Sequence, residues 1–375
     1  MGFKWSTLGE LSIGGGKYGI SAPAVEFDRN LPAYLRITDI NDDGSLNLSD
    51  RKSVADPLAF DYMLQEGDIV FARTGSSTGR NYYYDLRDGD FAFAGFLIKF
   101  SLDKEKVNPR FIKYYVQSKP YWDWVSSFNT GSTRGNINAK TYAQMPVPLP
   151  DRDVQDAIVC LCDSLSNKIR INNRLNDYLT DLATALFEKA LDEETCLIPF
   201  GELAELEDSK RIPLNKQDRE NRKGPYPYYG ATSIMDYVDD YLFDDIRVLL
   251  GEDGSVMTDE GHPFLQYVWG KYWVNNHAHI IKAKSDYSLE ALYLALRRTV
   301  INHIVTGAVQ MKISQKNLNG LELQMPNLTT ITDFGPFFAM YRHNADEAKR
   351  LAELRDILLP KMMSGEIDVS KISIH

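Results

Sequence analysis

Two short stretches of this chain gather guanidinium, hydroxyl and amide groups among glycines. Arg73-Thr74-Gly75-Ser76-Ser77-Thr78-Gly79-Arg80 is the first, and Gly131-Ser132-Thr133-Arg134-Gly135-Asn136-Ile137-Asn138, closely followed by Lys140, is the second. Base edges are read by side chains that reach them, whereas phosphates are held by cations, hydroxyls and backbone amides. Glycine lets the backbone itself come close. Arg73 or Arg80 could meet guanine in bidentate fashion; an ordinary polar hairpin turn would have the same composition. The second half of the chain carries other chemistry. At the position equivalent to Arg73 stands Glu252, followed by Asp253, and a carboxylate can only accept, as from the amino group of cytosine, or position other side chains. Lys210, Arg211, Lys312 and Lys316 are the phosphate candidates there, and Tyr229, Thr232, Ser233, His277 and Gln310 the base-reading candidates. A solvated surface accounts equally well for any one of them.

The sequence lacks the patterns of several catalytic sites. Pro225-Tyr226-Pro227-Tyr228 has the residue types of an adenine methyltransferase loop but not their N/D-P-P-Y/F/W order. The acidic pair Glu252-Asp253 runs into glycine and serine rather than toward a lysine, unlike a Mg²⁺-dependent nuclease site. No G-x-x-x-x-G-K-[ST] occurs, so no phosphate-cradling loop of that type is expected. His277 and His279 lie two apart on an expected strand and could supply two metal ligands; with no cysteine or carboxylate pair beside them in sequence, a packed or hydrogen-bonded histidine is the preferred reading. Cys160, Cys162 and Cys196 are read as packing residues. No metal and no cofactor is expected.

The elements that would position these groups occur twice. Leu8-Gly9-Glu10-Leu11 recurs as Phe200-Gly201-Glu202-Leu203. A strand over 68–72 entering a glycine turn recurs in R-V-L-L-G-E-D-G-S, with Gly254-Ser255 matching Gly75-Ser76. Each half then offers a second strand, 91–100 and 277–282, and an amphipathic helix, 109–117 and 289–298. A shift of 176 aligns Thr130-Gly131 with Thr306-Gly307, Ile137 with Ile313, Lys140 with Lys316 and Pro150 with Pro326. Each half leads into a long helix with apolar residues at coiled-coil spacing. Leu165, Asn172, Leu179, Leu182 and Leu186 superpose on Phe337, Asn344, Leu351, Leu354 and Leu358 after a shift of 172. These ten are the expected seam, with Asn172 and Asn344 as polar residues that fix its register.

The expected layout is 1–150 as a first globule, 151–194 as a helix, 195–326 as a second globule, and 327–375 as a second helix with a tail. The fold class is α+β: two mixed globules in tandem pseudo-twofold repeat, separated by two long helices pairing as an antiparallel coiled coil. The chain has 375 residues and a formal net charge of −10. Residues 1–150 balance 17 basic against 17 acidic side chains, whereas 151–196 hold 5 against 10. An acidic helix suits a protein partner better than phosphates. With no apolar run near the ~18 residues of a membrane span and no signal-like N-terminus, a cytoplasmic protein is expected.

In this order, twice over, the pieces resemble the specificity subunits of Type I restriction-modification systems. The resemblance covers essentially the whole chain. It rests on G-D-I-V-F-A-R-T-G, T-G-S-T-R-G-N-I-N and M-P-V-P-L-P in the first half. In the second it rests on P-Y-Y-G-A-T-S, V-L-L-G-E-D-G, W-V-N-N-H-A-H, Q-M-K-I-S and the closing L-R-D-I-L-L-P-K-M-M-S-G-E-I. It implies that each globule is a target recognition domain reading half of a split, asymmetric double-stranded DNA target. It also implies that the helices space the two and dock two methyltransferase subunits, to which restriction subunits are added, and that the chain has no catalytic activity of its own. A protein-only adaptor built on a coiled coil is the alternative; it would share the helices and have no need of the arginine and glycine loops.

Overall fold

The computed structural model describes residues 3–128, 135–307 and 310–369. The chain folds into two units, Met1–Ile169 with Lys349–His375, and Arg170–Ala348. Each long helix, Arg152–Glu193 and Gly335–Met363, contributes one part to each unit. Packing therefore divides the helices, where the sequence suggested elements standing on their own. Ser132, Thr133 and Arg134 lie outside the described residues.

In the first unit one strand pair brackets the sheets. Lys4–Thr7 runs antiparallel to Pro146–Leu149, with Lys4 opposite Leu149 and Thr7 opposite Pro146. Between them lies an antiparallel sheet in the order Lys17–Tyr18, Leu97–Ser101, Asp68–Ala72, Asn81–Tyr83. A mixed sheet accompanies it, in the order Ala24–Glu26, Lys52–Val54, Ala33–Leu35, Phe91–Phe93, its last pair parallel. The strand 68–72 is buried at every position, which explains its continuous apolar run. The expected strand over 91–100 is broken at Ala94-Gly95-Phe96. There the Gly95 amide donates to the Ile20 carbonyl (2.8 Å) and the Leu97 amide to that of Ala94 (2.8 Å), turning the chain from one sheet to the other.

The second unit repeats this plan by itself. Thr195–Pro199 pairs antiparallel with Glu322–Pro326, Cys196 opposite Met325 and Pro199 opposite Glu322. The first pair's register maps onto this one under the shifts of 192 and 176 read from the sequence. An antiparallel sheet follows in the order Ala204–Leu206, Ala278–Ala283, Arg247–Gly251, Leu265–Val268. The mixed sheet again has one parallel pair, between Lys223–Tyr229 and Lys271–Val274. The α+β class holds in both units. The recurring glycine has a steric cause: a Cβ on Gly9 would stand 3.0 Å from the Ala143 carbonyl oxygen, and one on Gly201 3.1 Å from that of Asn319. Short helices end at those contacts, Ala139–Ala143 capped by the Asn138 side chain and Gln315–Asn319 capped by Ser314.

The long helices pack inside each unit. In the first, Ile158, Val159 and Cys162 share a core with Leu359, Met362 and Met363. In the second, Ala183, Phe187 and Leu191 pack with Phe334 and Phe338. There Asn172 donates to Glu347 (2.7 Å), Asn344 to Asn176 (3.0 Å), and Asn176 to the Tyr341 carbonyl (3.1 Å). Rising numbers on one helix meet falling numbers on the other, so the pairing is antiparallel. Asn172 and Asn344 are buried, and Leu165, Leu179, Leu186, Phe337, Leu351 and Leu358 half-buried. Leu182 and Leu354, expected on the seam, are instead 49% and 44% exposed. The first helix carries apolar side chains over a wider arc than the pairing covers. Asn172, Asn176, Leu179, Ala183 and Phe187 lie on the covered side, and Ile171, Leu175, Tyr178 and Leu182 form a second stripe, each more than two-fifths exposed.

Candidate nucleic-acid interface

In the first unit the buried strand 68–72 delivers Arg73 to the surface. Its amide donates to the Phe96 carbonyl (3.1 Å), and its own carbonyl accepts from the Ile137 amide (2.9 Å). Thr74 and Asn136 form a single antiparallel bridge. Two parts of the chain sixty residues apart are thus zipped around one arginine. The Arg73 guanidinium lies 5.0 Å from the centre of the Tyr18 ring, a cation–π distance. Its buried Nε has no hydrogen-bond partner among the described residues. Tyr18, 42% exposed, is anchored in turn by accepting the Ala139 amide (3.2 Å). Tyr18 carries no motif, and sequence reading missed it.

The other candidates of this unit divide by what they already hold. Arg80 is spent within the fold: its Nε meets Asp42 at 2.7 Å and its Nη1 the Ile40 carbonyl at 3.2 Å. Thr78 donates to the carbonyls of Gly75 (2.8 Å) and Gly135 (2.9 Å), tying the two glycine stretches together. Ser77 is buried, Asn138 caps a helix, Gly75 (φ +76°) makes the turn, and Thr74 is half-buried. Ser76, Asn136 and Lys140 are exposed. Arg73, Ser76, Asn136 and Lys140 therefore remain as groups able to meet a ligand.

The second unit builds the same backbone frame. The Glu252 amide donates to the His277 carbonyl (2.8 Å), the Ile313 amide to the Glu252 carbonyl (2.8 Å), and Asp253 bridges Lys312. Position by position, Arg73 corresponds to Glu252, Thr74 to Asp253, Phe96 to His277 and Asn136 to Lys312. The side chains differ at all four. Glu252 is held by Arg211 (2.5 Å) and Lys312 (3.3 Å). Arg211, 14% exposed, also donates to the Ala278 carbonyl (2.8 Å), so its charge is internally committed. Lys210 reaches Glu207 at 2.6 Å. His277 pairs through Nδ1 with Asp253. Thr232, Ser233, Gln310, Lys312 and Lys316 are exposed, and Tyr229 is half-buried with its hydroxyl pushed up to about 12 by burial.

His279 points the other way from its neighbour. It is fully buried, with Nδ1 2.6 Å from Asp208 and Nε2 2.8 Å from the Ile313 carbonyl. Burial works to raise the Asp208 carboxyl, but His279, the Ile280 amide and Gln315 outweigh it and hold the group below its ordinary range. Asp208, Glu252 and His279 bring three ligating atoms within 4.8 Å of one another. Arg211, Lys312, His279 and Gln315 (2.6 Å from Asp208) already satisfy the carboxylates. The cluster reads as a neutralised pin fastening the closing segment to the sheet.

The repetition seen in the frame is matched by comparison with known proteins. The family model described as the Type I restriction modification DNA specificity domain matches twice, over residues 30–181 and 197–333. The chain belongs to this family. A Haemophilus influenzae chain named as a type I restriction enzyme specificity subunit is 30% identical over 135 residues, 36% of this chain and 34% of that one. The alignment thus spans about a third of that relative's length. The MjaIX specificity subunit of Methanocaldococcus jannaschii is 19% identical over 313 residues, 72% of each chain. The crystal structure of the S subunit of a type I restriction-modification system from M. genitalium shares the fold, with a TM-score of 0.55 at 18% identity over 96% of both chains. The two specificity-domain matches cover both frames, Arg73 with Asn136 and Glu252 with Lys312. No helix among the described residues is long and apolar enough to cross a membrane.

Proposed function

We propose that this chain is the DNA sequence-specificity subunit of a Type I restriction-modification complex. Residues 1–150 and 195–326 act as target recognition domains, each reading one half of a bipartite, asymmetric double-stranded site. The helical segments 151–194 and 327–375 set the gap and dock two methyltransferase subunits, and restriction subunits add cleavage. The chain itself performs no catalysis, and a DNA target fits a cytoplasmic location. The observation that carries this reading is the repeated backbone frame with different side chains at equivalent points. One scaffold presenting an arginine with no carboxylate partner among the described residues in one unit, and a neutralised carboxylate in the other, suits unlike half-sites. The exposed stripe Ile171, Leu175, Tyr178 and Leu182 supports the docking role, because four apolar side chains at heptad spacing invite a further helix.

With a formal net charge of −10, the free subunit lacks the basic surface that usually drives DNA binding. A mobility-shift titration is expected to give weak binding for the free subunit. With methyltransferase subunits added, specific binding of about 10⁻⁸ M or tighter is expected. Equal, salt-insensitive affinity in both cases overturns the reading.

A further inference from the structure

The turn that presents Phe96 is held from several sides. The Ala94 amide donates to Leu35 (3.0 Å), the Gly95 amide to Ile20 (2.8 Å) and the Leu97 amide to Ala94 (2.8 Å), and the Phe96 carbonyl accepts from Arg73. From this fixed backbone the phenyl ring stands 60% exposed. A phenylalanine held in water on a rigid turn, one hydrogen bond from an arginine that has no carboxylate partner among the described residues, buries little surface for the fold. In the second unit the corresponding turn is equally fixed, with the Asn275 amide on the Tyr229 carbonyl (3.0 Å) and the His277 amide on the Asn275 side chain (2.7 Å). It presents the His277 ring in the place of the phenyl.

We infer that Phe96 is a base-contacting specificity determinant of the first unit, reading through apolar contact what its equivalent, His277, reads through a polar ring. This rests on the proposed DNA-reading role and adds to it a residue and a kind of contact. Phenylalanine has neither donor nor acceptor, so it discriminates by touching the thymine methyl group or base surface. Lacking charge, it contributes nothing to phosphate binding. Beside it, Arg73 supplies the donors, and together they would read adjacent positions.

The test uses the subunit assembled with its methyltransferase subunits and a duplex library randomised over both half-sites. Phe96→Ala is expected to relax discrimination about tenfold at one or two neighbouring base pairs of the first half-site. The second half-site and the salt dependence of binding should stay as they are. Phe96→His is expected to change the preferred base at those same pairs rather than erase the preference. Wild-type preferences in both variants overturn the inference, as does uniform weakening with a shallower salt slope, the mark of a phosphate-side position. An intact second half-site in the same molecule guards against misfolding. Arg73→Ala, run in parallel, separates the two levels: relaxation there without any in the Phe96 variants removes Phe96 alone. If neither Arg73→Ala nor the Phe96 variants alter the first half-site, the assignment of this face to DNA falls too.

Discussion

At the scale of single residues, Arg73 differs from Arg80, Lys210, Arg211 and Lys312 in having no carboxylate partner among the described residues. Arg80 leans on Asp42 and Arg211 on Glu252, and a guanidinium so paired would have to give up that partner to meet a base. Arg73→Ala is accordingly expected to cost ~1–3 kcal/mol of discrimination at one position of the first half-site, and Arg80→Ala to leave base preference unchanged; binding selections on both variants check this. Tyr18, whose ring lies 5.0 Å from the Arg73 guanidinium, is expected to act as a positioning residue. Tyr18→Leu should relax the same position as Arg73→Ala and add nothing to it in the double variant, while Tyr18→Phe, which keeps the ring and gives up only the Ala139 hydrogen bond, should relax it less. Additive losses would refute the coupling. Neither the fate of Arg80 nor the role of Tyr18 was legible in the sequence, because Asp42 is 38 residues from Arg80 and Tyr18 is 55 from Arg73. The pin in the second unit was hidden for the same reason: Asp208 reaches His279 across 71 residues. Its depressed carboxyl has a consequence in acid. A carboxylate held below its ordinary value stabilises the fold fully above that value, near 3.8, and the contribution fades as pH falls through the folded one. Asp208→Asn should therefore be the less stable protein at neutral pH, and the gap should narrow below pH 3.8; acid unfolding curves of the two proteins measure it.

At the scale of elements, the sequence was read most successfully where backbone geometry demands a residue type. The strand 68–72, the helix 289–298 and the long helix 152–193 match the apolar periods that announced them. Gly9 and Gly201 recur because a Cβ would press on a carbonyl oxygen in each unit. The seam was misjudged at Leu182 and Leu354 because a heptad read from leucines takes the larger side chain to be inside, and here Ala183 is fully buried beside an exposed leucine. That exposed stripe makes a prediction of its own. Leu175→Ala with Leu182→Ala should leave the melting temperature of the free subunit nearly unchanged, since alanine favours helix and little buried surface is lost. The same pair should weaken assembly with the methyltransferase about tenfold or more. Analytical ultracentrifugation reads both partners, and undiminished assembly would remove the stripe from the interface.

At the scale of the molecule, two units repeat one plan with different surface chemistry, and two helices run through both. Seven residues added to each long helix lengthen it by about 10 Å, about three base pairs of B-form DNA. Methylome sequencing of such a variant should find a wider gap between unchanged half-sites. An unchanged gap would take the spacing role away from the helices.

The strand pairs that bracket the sheets of each unit carry a last consequence. Lys4–Thr7 with Pro146–Leu149, and Thr195–Pro199 with Glu322–Pro326, bring the two ends of the sheet-bearing segment of each unit to neighbouring strands, about 5 Å apart. Everything enclosed between them hangs from a two-stranded clasp in the same register. A foreign insert ending in the same clasp is expected to meet the flanking chain at the same two neighbouring strands. On the proposed DNA-reading role, exchanging one clasped segment is expected to change one half-site and leave the other as it is.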